Sequence, residues 1–204
     1  MVGARLYFAV QNDPISYLRE PWKLFALWEG GLAYFGGLFG GILAALLYTR
    51  REGLNFLRVA DLFAPAILIG SAIGRISCGL AGMDYGSPTS LPWGVSYSNP
   101  NTYAPIDGIA RHPVQFYEMI GDLIIAGALI RLRKRLPEGV TFLIYLCLFS
   151  ILRFFLFFAR GDVYPVAFGL KNAQWTAVVI LFAAGGALAV GMRKGFRNRS
   201  HQTA

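Results

Sequence analysis

Apolar residues along this chain run in long blocks, with no sustained two-residue alternation. Five blocks, residues 31–49, 60–81, 117–132, 139–159 and 173–192, approach the ~20 residues with which a helix crosses a hydrocarbon core about 30 Å thick. A helix satisfies its own backbone in lipid, so each block predicts a membrane span. The pattern predicts an all-α integral membrane protein, a single polytopic domain over 1–204 with about five transmembrane helices. Between the second and third blocks lies a polar stretch, 82–116, rich in Pro, Gly, Tyr, Ser and Asn. Polar stretches this long are usually functional or disordered. Its Trp93, Tyr97 and Tyr103 favour an ordered loop cap at the outer interface.

Composition agrees: 55% of residues are hydrophobic and 15% charged, with a mean hydropathy of +0.49, which excludes an ordinary soluble domain. The net charge of +8 would suit nucleic acid, but its placement has a simpler explanation. Arg50, Arg51 and Arg58 follow the first block, Arg131, Arg133, Lys134 and Arg135 the third, and Arg193, Lys194, Arg197 and Arg199 the fifth. Alternating spans gather these on one side, leaving Arg5, Arg19, Lys23, Arg111, Arg160 and Lys171 on the other. The positive-inside rule puts the basic tail, 193–204, in the cytoplasm and the N-terminal segment outside. No nucleic-acid partner is expected. The first residues lack the regions of a signal peptide. A start outside needs either an insertion signal in the first span or an upstream helix missing from the chain. Residues 12–30, with Pro14, Pro21, Trp22, Phe25 and Trp28, suit the outer interface.

Two arginines change the picture most. Arg75 and Arg153 stand inside apolar blocks, where a guanidinium costs roughly 2.5–3.5 kcal/mol even on lenient insertion scales. Each needs a carboxylate, a carbonyl, water or an anionic ligand. Pairing with Asp84 or Glu118 would be a structural answer. Alternating spans put Arg75, Arg153, Arg160 and the exit of the polar stretch, Arg111-His-Pro-Val-Gln-Phe-Tyr-Glu118, on the outer side. Pro113 suits a helix start, placing Gln115, Tyr117 and Glu118 in the first turns of the third span. Glu118 there either complements the helix dipole or pairs with Arg111. The functional alternative is a headgroup-accessible cleft of four guanidinium groups, lined also by His112, Tyr117 and Glu118, that takes a lipid phosphate. Asp61 opens the second span as a helix cap. Glycines at Gly36, Gly37, Gly40, Gly41, Gly70 and Gly74 have the spacing of close helix packing. Cys78 and Cys147 set no disulfide framework, and no metal-ligand spacing occurs, so neither metal nor cofactor is expected. Transport has thin support, since Asp61 and Asp122 are nearly the only other ionisable groups in the spans.

Four segments stand in one order along the chain: Trp28-Glu-Gly-Gly-Leu-Ala-Tyr-Phe-Gly-Gly, Gly74-Arg-Ile-Ser-Cys-Gly-Leu-Ala-Gly-Met-Asp-Tyr-Gly, Arg111-His-Pro-Val-Gln-Phe-Tyr-Glu, and Leu152-Arg-Phe-Phe-Leu-Phe-Phe-Ala-Arg-Gly-Asp, with Gln174-Trp opening the last block. Together they resemble the prolipoprotein diacylglyceryl transferase family. The resemblance implies a multi-pass enzyme of the bacterial plasma (inner) membrane. It moves diacylglyceryl from phosphatidylglycerol to the lipobox cysteine of a prolipoprotein signal peptide, in lipoprotein biosynthesis. It implies anion work for Arg75 and Arg153 and substrate contacts from Arg111, Gln115, Tyr117, Glu118, Arg160, Tyr34, Gly36, Gly37 and Asp84; in an active member that lacks the family's own proton acceptor, His112 is a catalytic candidate to take over the proton transfer. Tyr34, Asp84 and Glu118 are further candidates for the proton transfer.

The chain departs from the family pattern around that site. Phe35 stands where the family has His, Cys78 where it has Asn, and Met83 where it has an acid, with Asp84 adjacent. Phe149 and Phe157 replace a Tyr and a Glu one turn either side of Arg153. A thiol is itself a few per cent ionised at neutral pH, so these losses need not end activity. The alternative is a non-catalytic paralogue that binds lipid or peptide.

Overall fold

The computed structural model describes residues 34–200, with side chains from 40 to 191. The Trp28 segment and residues 201–204 lie outside the described residues, and so do the side chains of Tyr34, Phe35, Gly36 and Gly37. Five helices follow one another: α1 (Tyr34–Arg51), α2 (Phe56–Ala81), α3 (Val114–Leu132), α4 (Val140–Leu156) and α5 (Asn172–Ser200), with a 3-10 turn at Arg133–Arg135. Each predicted block meets one helix. Among the described residues there is no strand, only isolated antiparallel pairings in the loops.

Contacts divide the chain into two units, up to Val59 and from Ala60 on. In the first, α1 ends on Arg50 and Arg51, and a left-handed Gly53 (φ 65°) lets Leu54 N–H reach the carbonyl of Thr49 at 2.8 Å.

In the second unit, Ala64 and Leu68 of α2, Ile125, Ala126 and Leu129 of α3, and Tyr145 of α4 form the core. α4 packs against both α3 and α5. Outside this seam the helices stay apolar and open, with Ile73 and Leu80, Ile124, and Val179 and Phe182 all exposed. α2 and α5 are long and apolar enough to cross a membrane, yet only 28% and 17% of their most apolar windows are buried. Apolar helix surface left open in this way is what lipid covers.

Two expectations are corrected here. Asp61 does not cap its own helix: its carboxylate accepts the N–H of Gly139 at 2.6 Å and of Phe142 at 2.7 Å, satisfying orphan donors at the start of α4. Gly139 has no side chain to do so, and Asp61 lies beside it. Gly70 and Gly74 face open space, so they mediate no packing among the described residues. The close approach uses Gly121, where a Cβ would meet Cδ2 of Leu152 at 2.6 Å. That contact brings α3 to α4 one turn from Glu118 and one residue from Arg153.

Candidate active site

Arg75 lies in the last two turns of α2, Glu118 in the first two of α3 and Arg153 in the last of α4. All three therefore reach the end of the unit covered by the loop 82–113. Arg75 donates through Nη1 to Asp84 and through Nη2 to Oε1 of Glu118, the latter at 3.0 Å. Arg153 Nη1 donates to that same Oε1. Asp84 passes the chain of charges on, accepting from Arg160 Nη2 at 2.7 Å, and Arg160 is in turn chelated by Asp162 through Nε and Nη2, both at 2.6 Å. Three guanidinium groups thus alternate with three carboxylates. Glu118 is 2% exposed and Arg153, at 24%, is the most open of the three arginines. A buried charge persists only when it is paired and hydrogen-bonded, and this network meets that condition.

The loop is built to place Asp84 and Arg160. Asp84 takes a left-handed conformation (φ 61°), which Asp tolerates better than most residues. Gln115, fully buried, donates to the Met83 carbonyl at 2.6 Å and to Tyr97 Oη at 3.2 Å, pinning the residue before it. Gly86 pairs with Arg160, while Pro88 and Val95 both pair with Arg111. Ser87 sits between the two edges: its N–H donates to Ala159 at 2.8 Å and its carbonyl accepts from His112 at 3.0 Å. A Cβ at Gly161 would stand 2.6 Å from the Gly86 carbonyl, and one at Gly86 would stand 2.3 Å from the His112 carbonyl, so three backbone segments meet only because these two positions lack one. The ordered cap expected from the sequence is present.

His112 and Tyr117 form a second group. Trp93 Nε1 donates to Tyr117 Oη at 2.7 Å, and His112 Nδ1 lies 3.4 Å from the same oxygen. The sequence marks Trp93 as an aromatic of the loop cap but not as a site residue, because a Trp in an interfacial loop has an ordinary reason to be there.

Arg111 is the outlier. It neither pairs with Glu118 nor joins the other three arginines. Its Nη2 donates to Asp107 at 2.5 Å and its guanidinium lies 5.3 Å from the Tyr85 ring centre. Its place in a paired backbone segment directs it into the loop fabric. Asp107 is held below the usual carboxylate range, first by the N–H of Ile109 and then by Arg111.

The end of α4 is finished from α5. Lys171 Nζ donates to the carbonyls of Phe157 and Arg160 at 2.8 and 2.6 Å, and Gln174 Nε2 to that of Phe154 at 3.1 Å. Burial pushes the Lys171 ammonium below its ordinary value.

Residues 1–190 match the family model described as prolipoprotein diacylglyceryl transferase. A phosphatidylglycerol–prolipoprotein diacylglyceryl transferase of Bordetella bronchiseptica is 32% identical over 191 residues, 91% of this chain and 71% of its own length. Proteins of that name from Polynucleobacter asymbioticus (33% over 189 residues, 89% and 69%) and Geobacter sulfurreducens (34% over 162 residues, 78% and 60%) are similarly close. The chain belongs to this family. The prolipoprotein diacylglyceryl transferase resemblance read from the arginine-bearing segments is therefore correct, and those segments are the ones that build the charge network.

Proposed function

We propose that the chain is a membrane transferase that moves diacylglyceryl from phosphatidylglycerol to the lipobox cysteine of a prolipoprotein, at the outer face of the bacterial plasma membrane. Family membership and the name carried by its relatives support the reaction. The observation that carries the site is the unequal pairing of the arginines. Arg160 spends two nitrogens on Asp84 and Asp162, and Arg75 spends both terminal nitrogens on Asp84 and Glu118. Among the described residues Arg153 has only a share of one Glu118 oxygen, so its remaining donors suit the phosphate of an incoming headgroup.

The bookkeeping of the step fits these residues. A carbon–sulfur bond forms at the glyceryl carbon while its bond to the phosphate oxygen breaks, and glycerol phosphate leaves with the electron pair. Arg153, backed by Arg75, meets the charge that grows on that leaving group. The thiol proton goes to His112 Nε2. Tyr117 Oη, already an acceptor from Trp93, lies 3.4 Å from Nδ1; by accepting Nδ1–H there it would hold the ring in the tautomer whose Nε2 is free. Arg111, Gln115 and Asp84 hold the loop against which headgroup and peptide bind. Substrate contacts from Tyr34, Gly36 and Gly37 stay as the resemblance implies them, and the basic C-terminus is read as cytoplasmic.

The test is glycerol phosphate release by the purified protein given phosphatidylglycerol and a lipobox peptide. Release should require the peptide cysteine and fall at least 10²-fold in Arg153→Ala. Phosphatidylglycerol binding without release, in the wild type, would leave a lipid-binding paralogue instead.

A further inference from the structure

The two phenylalanines that flank Arg153 do more than fill space. The guanidinium carbon of Arg153 lies over the rings of Phe149 and Phe157, 5.5 and 5.1 Å from their centres, one turn before and one turn after it on α4. The Phe157 ring carries a second cation, with the guanidinium carbon of Arg160 5.0 Å from its centre. It is itself fixed: Phe157 is 6% exposed, its N–H donates to the Arg153 carbonyl at 3.1 Å, and its own carbonyl is held by Lys171.

A ring and a carboxylate hold a guanidinium in different ways. A carboxylate takes the in-plane N–H donors and cancels the charge, which is how Asp162 treats Arg160. A ring attracts the cation through its face and leaves the in-plane donors free, with the positive charge intact. Among the described residues, Glu118 is the acceptor for Arg153 Nη1, and Nε and Nη2 have none.

Building on the transferase reading of this site, we propose that Phe157 is a positioning residue of the phosphate site. Its ring fixes Arg153 and Arg160 without neutralising either, so that Arg153 presents free N–H donors to the phosphate of a phosphatidylglycerol headgroup. A carboxylate at position 157 would compete with that phosphate for the same donors. A phenyl ring does not, so the site depends here on ring electrostatics.

The decisive experiment varies the ring's charge and keeps its shape. Phenylalanine at position 157 is replaced by its mono-, di- and trifluoro forms in the full chain, in detergent. Affinity is then measured in two arms, phosphatidylglycerol in mixed micelles and soluble glycerol phosphate. Affinity should fall stepwise with each fluorine, by about tenfold across the series, because fluorine drains the ring face that attracts the cations. KM should rise in parallel with kcat nearly constant, and Phe157→Tyr should stay near the wild type. A fall in both arms supports the proposal with phosphate alone as the ligand; a fall in the lipid arm alone supports it with the lipid headgroup as the ligand. Affinity that stays flat in both arms, with melting unchanged, overturns it and leaves Phe157 as packing. Because binding is read without turnover, a wild type that binds lipid but releases no glycerol phosphate would sink the transferase reading and still decide the role of Phe157.

Discussion

The arginine network and the His112–Tyr117–Trp93 group belong to the same end of the molecule but are held by opposite means. The network joins α2, α3, the end of α4 and the loop through six charged side chains, with Glu118 sealed at their centre. The second group is local, drawn from residues 93–117, and its bonds run between neutral donors and acceptors, with Trp93 more than half exposed. Removing one member of a buried charge chain strands its neighbours. Removing one member of a partly solvated neutral group lets water replace it. The two regions should therefore fail differently, the first in stability as well as activity and the second in rate alone.

Glu118→Ala should break this comparison open most widely. It leaves Arg75 and Arg153 without their shared acceptor, and deleting one partner of a buried pair typically costs about 3–5 kcal/mol. Glu118→Gln keeps an acceptor oxygen and the shape, and should cost clearly less. Thermal unfolding in detergent checks both. If Glu118→Ala melts with the wild type, the network is solvated in solution and the contrast with the second group disappears.

The uneven legibility of the two regions in the sequence has the same physical root. Arg75 and Arg153 stand out because a cation in an apolar block demands an explanation, and Asp84 and Glu118 were named in advance as partners for Arg75. The five helices were legible because each long apolar block meets one of them, and two, α2 and α5, have the length and hydropathy with which a helix crosses lipid. Of the two readings open for Arg111, the pair with Glu118 is not the one observed, because proximity in sequence says nothing about which edge of the loop a side chain leaves from; its pairing with Pro88 and Val95 decides that. Asp61 was read as a cap for its own helix, and only the fold reveals that Gly139, at the start of α4, needs the carboxylate more. Trp93 is legible in the sequence only as an interfacial aromatic and Phe157 only as a departure from the family pattern; what each one holds was hidden for a simpler reason. Aromatic residues near a membrane interface have ordinary uses, and nothing in their spacing marks the ones that also hold a hydroxyl or a guanidinium.

Tyr117→Phe sharpens the other side of the comparison. It removes the oxygen that takes the Trp93 N–H and orients His112, but it strands no charge. Turnover should fall by about tenfold, well short of the 10²–10⁴ that a lost proton acceptor commonly costs. Phosphatidylglycerol affinity and melting should stay near wild-type values. Kinetics beside a binding isotherm decide the point, and a large loss of lipid affinity would mean that Tyr117 belongs to the phosphate site instead.

The smallest effect lies where a charge pair meets water. Asp107 is exposed enough that its bond to Arg111 contributes little in free energy, but the sign of its pH dependence is fixed. Its carboxyl is held below the ordinary range by Ile109 N–H and Arg111, so the folded loop favours the ionised form. The contribution is therefore complete above about pH 4–5, the upper edge of ordinary carboxylate titration, and is lost as pH falls through the lowered folded value. Limited proteolysis of the loop should be flat from neutral pH down to that edge and accelerate below it. In Asp107→Asn cleavage should already be slightly faster at neutral pH, and the acid step should shrink. An acid step of undiminished size in Asp107→Asn would move its origin from this exposed pair to the buried carboxylates, joining in one transition the two regions contrasted above.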